Sequence, residues 1–262
     1  MKRRRASGPP SLASRISALL DWACSHPAIS CPAVPSDLQT IADPRLVLLA
    51  WAAGLAFVAG VVSLAQIVGP GFTWLTAGVS ALVGLPGVLA DGAWWARFGM
   101  LALLVGVIWA RNRPFAGLFL IAAGLGYLVE AALFSGWVSA STATLSLGGV
   151  TGEMLLGHWY LVDPRLPRSA LRNLGLAGIA GLLCESALQI GLDIGFGGGA
   201  LSFWALMITS IVLMIAVVAA LRYPAYSGVM AATGLSYLAL LTTLGAVFVG
   251  RAMAAGLGPF AF

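Results

Sequence analysis

Three glutamates stand inside long apolar stretches of this 262-residue chain and are the side chains best placed to do chemistry. They are Glu130, Glu153 and Glu185, and the chain contains no other glutamate. An ionised carboxylate at the centre of a membrane helix costs about 2.5 kcal/mol or more. Each glutamate must therefore be protonated, hydrogen-bonded or close to a cation, which is the chemistry of proton and small-cation binding.

The residues one turn away predict where two of these carboxylates point. Gly149 and Gly157 share a helix face with Glu153, and small residues at this spacing leave a groove around the carboxylate. Glu185 and Gln189 are also one turn apart, and a polar line of this kind is expected to face other helices rather than lipid.

Counting helix rise from the predicted span ends places Glu153 and Glu185 at similar depth. We expect them to face each other as the central proton- or cation-binding pair, with Glu130 as an outer relay group. No lysine or arginine is expected at a depth that would neutralise them. Interhelical hydrogen bonding by protonated carboxyls is the structural alternative for each one.

His158 is the single histidine in the apolar part of the chain, within the stretch "GEMLLGHWYLVDP". Five residues along a helix rotate it about 140° away from Glu153, so the two side chains should lie on different faces. Its neighbours Trp159 and Tyr160 favour an anchor at the membrane surface. The inner end of a proton relay and a metal or cofactor ligand are the alternatives.

Composition predicts the elements that must position these groups. The chain is 60% hydrophobic and 9% charged, and its mean hydropathy is +0.97. Apolar runs of about 20 residues recur along it, whereas the short alternating segments of a β-barrel do not. We therefore predict an all-α fold, a polytopic integral membrane helical bundle. The lipid bilayer is its expected partner.

The formal net charge of +5 does not indicate nucleic-acid binding, because the basic residues lie in the N-terminal tail and at the predicted span ends. A membrane-protein partner or a homo-oligomer remains open. The sequence assigns no cofactor.

The second apolar segment, about 72–90, decides the number of spans. "GPGFTWLTAGVSALVGLPGVLADG" begins with Gly-Pro-Gly and is interrupted again at Pro86 and Gly87. Proline removes a backbone donor and glycine weakens a helix, so this stretch is expected to be a broken or re-entrant segment. About seven transmembrane helices result, or eight if 72–90 also spans.

Charge counting favours seven spans. If 72–90 does not cross, only Arg97 and Arg251 lie outside, and the other basic residues share the cytoplasmic side. The predicted location is the cytoplasmic (inner) membrane, with the N-terminus in the cytoplasm and the C-terminus outside.

The predicted organisation is a cytoplasmic tail over 1–45, the bundle over 46–251 and a short C-terminal tail over 252–262. Residues 12–23 of the first tail have the pattern of an amphipathic surface helix. Cys24, His26 and Cys31 lie in the same tail, but their spacing matches no common zinc site, which favours a plain linker over a metal site.

Transport or sensing of protons or a small cation by the buried carboxylates is the function that these patterns predict best. One alternative is a non-catalytic subunit of a larger, respiratory-type membrane complex that binds quinone or lipid. Another is a membrane metalloenzyme using glutamate and histidine. The chain contains no phosphate-binding loop and no paired zinc histidines, which favours a protein that is not an enzyme.

Overall fold

α-Helices form all the regular structure in the computed structural model, which describes residues 43–163, 166–192 and 198–255. The predicted surface helix and the group Cys24, His26 and Cys31 lie outside these residues. The helices are α1 Pro44–Leu64, α2 Pro70–Val88, α3 Trp94–Ile108, α4 Arg113–Ser135, α5 Trp137–Val162, α6 Arg168–Gly191, α7 Gly198–Ala220 and α8 Tyr226–Ala254.

Six of these helices are long and apolar enough to cross a membrane. Of the other two, α3 has 15 residues, and α5 is long but carries many small polar side chains. The predicted all-α membrane helical bundle is confirmed.

The helix α2 runs the full length of α1 in the opposite direction. Near one end, the hydroxyls of Ser63 and Thr73 lie 2.9 Å apart, and farther along Ser80 Oγ donates to the backbone oxygen of Ala52 at 2.8 Å. Between these two contacts the residue number falls along α1 and rises along α2, so the two helices are antiparallel neighbours. The second apolar segment is therefore a continuous helix, and it satisfies the criteria for a span.

The predicted break at Pro86 and Gly87 is wrong. Pro86 lies inside α2, but the helix ends two residues later at Val88, so the lost backbone bond falls in the last turn. Gly87 lies against Leu49 of α1, where a Cβ atom would overlap the leucine side chain. Proline and glycine here shape a helix end and a close contact rather than a re-entrant loop.

The contact between α1 and α5 shows that these two helices are parallel. A Cβ built on Gly54 would lie 2.5 Å from Gly148 Cα, and one built on Gly152 would lie 2.8 Å from the Val58 side chain. The contact advances by four residues on both helices in the same direction. Helices α2, α3 and α4 must then alternate in direction between them, so α2 has to traverse the bundle.

The eight helices consequently alternate in direction, and α1 begins at the end of the bundle where α8 finishes. Arg251 Nη2 in the last turns of α8 donates to the Ser139 backbone oxygen at the start of α5, at 2.8 Å. We call this the proximal end and the opposite one the distal end. These directions favour the predicted alternative of eight spans, in which the start of α1 and the end of α8 lie on the same side.

Two groups of four helices have the same order of neighbours. In the first, α1 packs on α2 and α4, and α3 packs on α4. In the second, α5 packs on α6 and α8, and α7 packs on α8. The parallel helices α1 and α5, which begin the two groups, hold them together. No repeat in the sequence signals this arrangement.

Single cysteines introduced in place of Gln66, Asp91 and Asn112, in a background without the three native cysteines, test the number of crossings. We expect the first and third to react with a membrane-impermeant maleimide from one side and the second from the other, because α2 crosses. Labelling of Gln66→Cys and Asp91→Cys from the same side would contradict the fold described here.

Candidate functional site

Glu185 is the centre of a buried polar network near the proximal end. Its Oε2 accepts from Thr142 Oγ1 at 2.5 Å and from Arg251 Nη2 at 3.0 Å, and its Oε1 accepts from Gln189 Nε2 at 3.1 Å. The side chains of Glu185 and Arg251 are 0% and 5% exposed, so this is a buried ion pair. Glu185 therefore accepts three side-chain hydrogen bonds, one each from α5, α6 and α8.

Arg251 overturns the expectation that no basic side chain reaches the depth of the glutamates. Charge counting predicts Arg251 on the outer side of the membrane. The helix α8 instead continues to Ala254, and the guanidinium turns inward toward α5 and α6. A long aliphatic stem lets an arginine near a helix end bury its length and select a distant partner.

Glu130 caps a neighbouring helix. Its Oε2 accepts from the backbone nitrogens of Trp95 at 3.0 Å and Ala96 at 3.2 Å, in the first turn of α3. The residue that precedes this helix, Ala93, has no side-chain group to do so. A carboxylate satisfies the free N–H groups and the positive end of the helix dipole. This contact supports a structural role for Glu130, which belongs to the other four-helix group.

Glu153 differs from the other two glutamates because its carboxyl group is buried without a partner. The residue is 0% exposed, and within the described residues neither carboxylate oxygen has a hydrogen-bond partner. Glycines lie on both sides of it: a Cβ built on Gly157 would be 3.7 Å from Glu153 Oε1, and one built on Gly175 would be 3.9 Å from Glu153 Cγ. The predicted glycine-lined surroundings are present at Gly157.

Two hydroxyls on α8 lie close to Glu153 but are used elsewhere. Thr233 Oγ1 donates to the backbone oxygen of Val229 at 2.9 Å. Ser236 lies close enough to offer its hydroxyl to the carboxyl group, but that hydroxyl donates to the Thr233 backbone oxygen at 2.8 Å. An ionised carboxylate in this environment would be uncompensated, so the arrangement suits a neutral, protonated acid.

The register of α5 and α6 separates Glu153 from Glu185. Glu153 lies opposite Gly175, whereas Glu185 bonds Thr142. Thr142 and Glu153 are eleven residues apart in the sequence, which is about 16 Å along a helix. The predicted Glu153–Glu185 pair at similar depth is therefore wrong. The sequence reasoning erred because the lengths of α5 and α6 and their crossing shift the register.

His158 is exposed on α5 while Glu153 on the same helix is fully buried. The prediction that they occupy different faces is confirmed. Gln189, the remaining residue of the predicted site, belongs to the Glu185 network and not to the surroundings of Glu153. Across residues 43–163, 166–192 and 198–255, no three histidine, cysteine, aspartate or glutamate side chains form a group that could hold a metal.

Breaking the Glu185–Arg251 pair from either side should be costly. We expect Arg251→Met and Glu185→Met each to lower the free energy of unfolding by about 3–5 kcal/mol, because each leaves a buried charge unpaired. The double variant should recover most of the loss. Equilibrium unfolding in detergent micelles measures the three values, with Arg222→Met at an exposed distal position as the control. Simple additivity of the two single losses would show that the pair is not coupled.

The chain matches no protein-family model, and no curated protein or solved structure is significantly similar to it. The proposal for its function therefore rests on the geometry of the buried carboxyl groups.

Proposed function

We propose that this chain is a membrane protein that binds and releases a proton at Glu153, and that the charge on this residue controls the packing of α5 against α6 and α8. The single observation that carries the proposal is a fully buried carboxyl group whose two oxygens have no hydrogen-bond partner in the described residues. Isolated ionisable groups inside a membrane bundle are costly and are typically functional.

Loss of the proton from Glu153 would create a charge that its present surroundings do not solvate. The group can ionise only if water enters or if hydroxyl groups reorient toward it. Thr233 and Ser236 are the nearby groups that could turn from their backbone acceptors to the carboxylate. Ionisation therefore favours a looser contact between α5 and α8, and this change in packing is the output of the switch.

A proton suits this site better than a metal cation such as sodium. A hard cation requires several oxygen ligands, with carboxylates neutralising its charge. Glu153 supplies one carboxylate, and the two neighbouring hydroxyls donate to their own helix. A proton needs only the carboxyl group itself.

Protonation at one site is a better proposal than a relay through three glutamates. Glu185 already pairs with Arg251, and Glu130 caps α3, so both carboxyl groups have partners in the folded protein. Glu153 lies nine residues before the distal end of α5, about 14 Å along the helix. Proton exchange from the distal end is therefore the shorter route.

The distribution of arginines supports an orientation with the distal end in the cytoplasm. That end carries five described arginines, which are Arg111, Arg113, Arg168, Arg172 and Arg222. The described part of the proximal end has three, and two of these pair with carboxylates. Basic residues close to span ends set orientation, whereas residues far along a tail count little. This proposal reverses the expected cytoplasmic placement of the start of α1.

Infrared difference spectroscopy of the reconstituted protein tests the proton site. We expect wild type to show a protonated carboxyl band that converts to carboxylate as the pH is raised. The band should be absent in Glu153→Gln and retained in Glu130→Gln, the matched control. A band that does not change with pH, or that persists in Glu153→Gln, would indicate that Glu153 only stabilises the packing between helices. A ligand-binding subunit of a membrane complex would then be the better proposal.

Replacing the unpartnered carboxyl group with an apolar side chain should stabilise the fold. We expect Glu153→Met to raise the free energy of unfolding by about 1–3 kcal/mol, the cost of a buried polar group without a partner. The same unfolding measurement applies. A loss as large as that of Arg251→Met would instead show that Glu153 has a strong partner in the folded protein.

A further inference from the structure

A pocket of about 310 Å³ lies at the proximal end of the bundle, between the start of α5 and the ends of α6 and α8. Its wall includes residues 137–139 of α5, Leu188 and Leu192 at the end of α6, and Arg251 and Ala254 of α8. We call it the proximal pocket. Arg251 is the only charged side chain among the described residues that line it. The pocket therefore presents one positive group beside a neutral and largely apolar surface.

The guanidinium of Arg251 has unused donors on this wall. Its side chain is 5% exposed, and Nη2 donates to Ser139 O at 2.8 Å and to Glu185 Oε2 at 3.0 Å. The other two nitrogens, Nε and Nη1, carry three of the five N–H groups and have no acceptor within the described residues. Neither nitrogen is fully enclosed by protein. Arg251 also borders a cavity of about 10 Å³, which is room for about one water, so a larger acceptor would reach these donors from the proximal pocket.

The start of α5 adds backbone donors to the same wall. The first N–H groups of a helix have no acceptor within the helix, and those of Trp137, Val138 and Ser139 have none elsewhere in the described residues. The preceding residue, Gly136, has no side chain that could cap them. At the start of α3 the carboxyl group of Glu130 meets this need. No described acidic side chain does so at α5, so the positive end of its helix dipole is open to an anion.

The carboxyl group of Glu185 does not occupy this space. Glu185 is 0% exposed and does not line the proximal pocket. Its oxygens already accept from Thr142, Gln189 and Arg251 Nη2. An incoming anion therefore meets the guanidinium and the start of α5 before it meets the carboxyl group.

The rim of the proximal pocket has the character of the boundary between lipid headgroups and acyl chains. Trp137, the first residue of α5, is 58% exposed, and Val138 and Leu192 beside the pocket are exposed as well. Tryptophan at the end of a span is typical of the headgroup level. A ligand with an anionic head and apolar tails matches both the donors and this rim, whereas a free anion matches the donors alone.

We propose that the proximal pocket binds the phosphate group of an anionic phospholipid, held by Nε and Nη1 of Arg251 and by the backbone N–H groups of residues 137–139. Guanidinium groups and helix N-termini both favour phosphate oxygens. A zwitterionic headgroup fits less well, because the described lining has no acidic side chain for its ammonium group. Small-molecule pockets start at about 300 Å³, so this one takes a headgroup while the acyl chains stay in the bilayer.

This lipid site does not depend on the role proposed for Glu153. Ser139 and Glu153 are fourteen residues apart on α5, which is about 21 Å along the helix. A failure of one proposal therefore leaves the other standing.

Native mass spectrometry of the full chain in detergent tests the lipid site, with dioleoylphosphatidylglycerol as the anionic probe and dioleoylphosphatidylcholine as the zwitterionic comparison. We expect wild type to bind one phosphatidylglycerol about tenfold more tightly than phosphatidylcholine, as charge-assisted hydrogen bonds would give. Glycerol phosphate, which has the headgroup but no acyl chains, should not displace the lipid. Displacement by it would identify a soluble anion as the occupant, and equal binding of the two lipids would show that the headgroup charge is not recognised.

The double variant Glu185→Met/Arg251→Met removes the guanidinium without leaving a charge unpaired and without changing the net charge. It should weaken phosphatidylglycerol binding about tenfold. The control Arg222→Met, at an exposed distal position, should leave binding unchanged. Undiminished binding by the folded double variant would overturn the assignment of Arg251.

Ala254→Trp tests the pocket with the Glu185–Arg251 pair intact. The added ring should fill much of the space and reduce phosphatidylglycerol retention by a similar factor. The same substitution at an exposed position of α8, Ala231→Trp, should have no effect. Retention that Ala254→Trp does not reduce would show that the lipid binds elsewhere on the protein.

Discussion

The backbones of α1 and α5 meet at Gly54 and Gly148, and this contact sets the arrangement of the other helices. Each glycine would place a Cβ only 2.5 Å from the other's Cα, so no side chain fits at either position. In lipid, helices gain little from burying apolar surface, and close backbone packing at small residues supplies the attraction instead. This contact fixes the two helices as parallel neighbours and joins the two four-helix groups.

The long helix α5 takes part in both buried carboxyl sites of the second group. Its start supplies Thr142 to Glu185 and a backbone oxygen to Arg251, and its distal half carries Glu153. Because the polar groups on this helix face different neighbours, they differ in whether they find hydrogen-bond partners. The Glu185 site is compensated by charge and hydrogen bonds, whereas the Glu153 site is left without them.

Features of the fold that depend on a few neighbouring residues were predicted correctly from the sequence. Long apolar runs form helices because a backbone in lipid must satisfy its own hydrogen bonds, and the glycine one turn from Glu153 lets Thr233 of α8 approach closely. It failed at Pro86, where the effect of proline depends on how near the helix end lies. It failed at Arg251 because the reach of a flexible side chain cannot be read from its position in the chain.

Hydropathy and helix geometry are local properties, so the amino-acid pattern is enough to predict the helical membrane class, the burial of the three glutamates and the separation of His158 from Glu153. Which glutamate has a partner depends on how the helices pack. Direction, register and crossing of helices distant in sequence bring Arg251 to Glu185 and the α3 backbone to Glu130. These relations arise from packing between surfaces, and no single segment of the chain contains them.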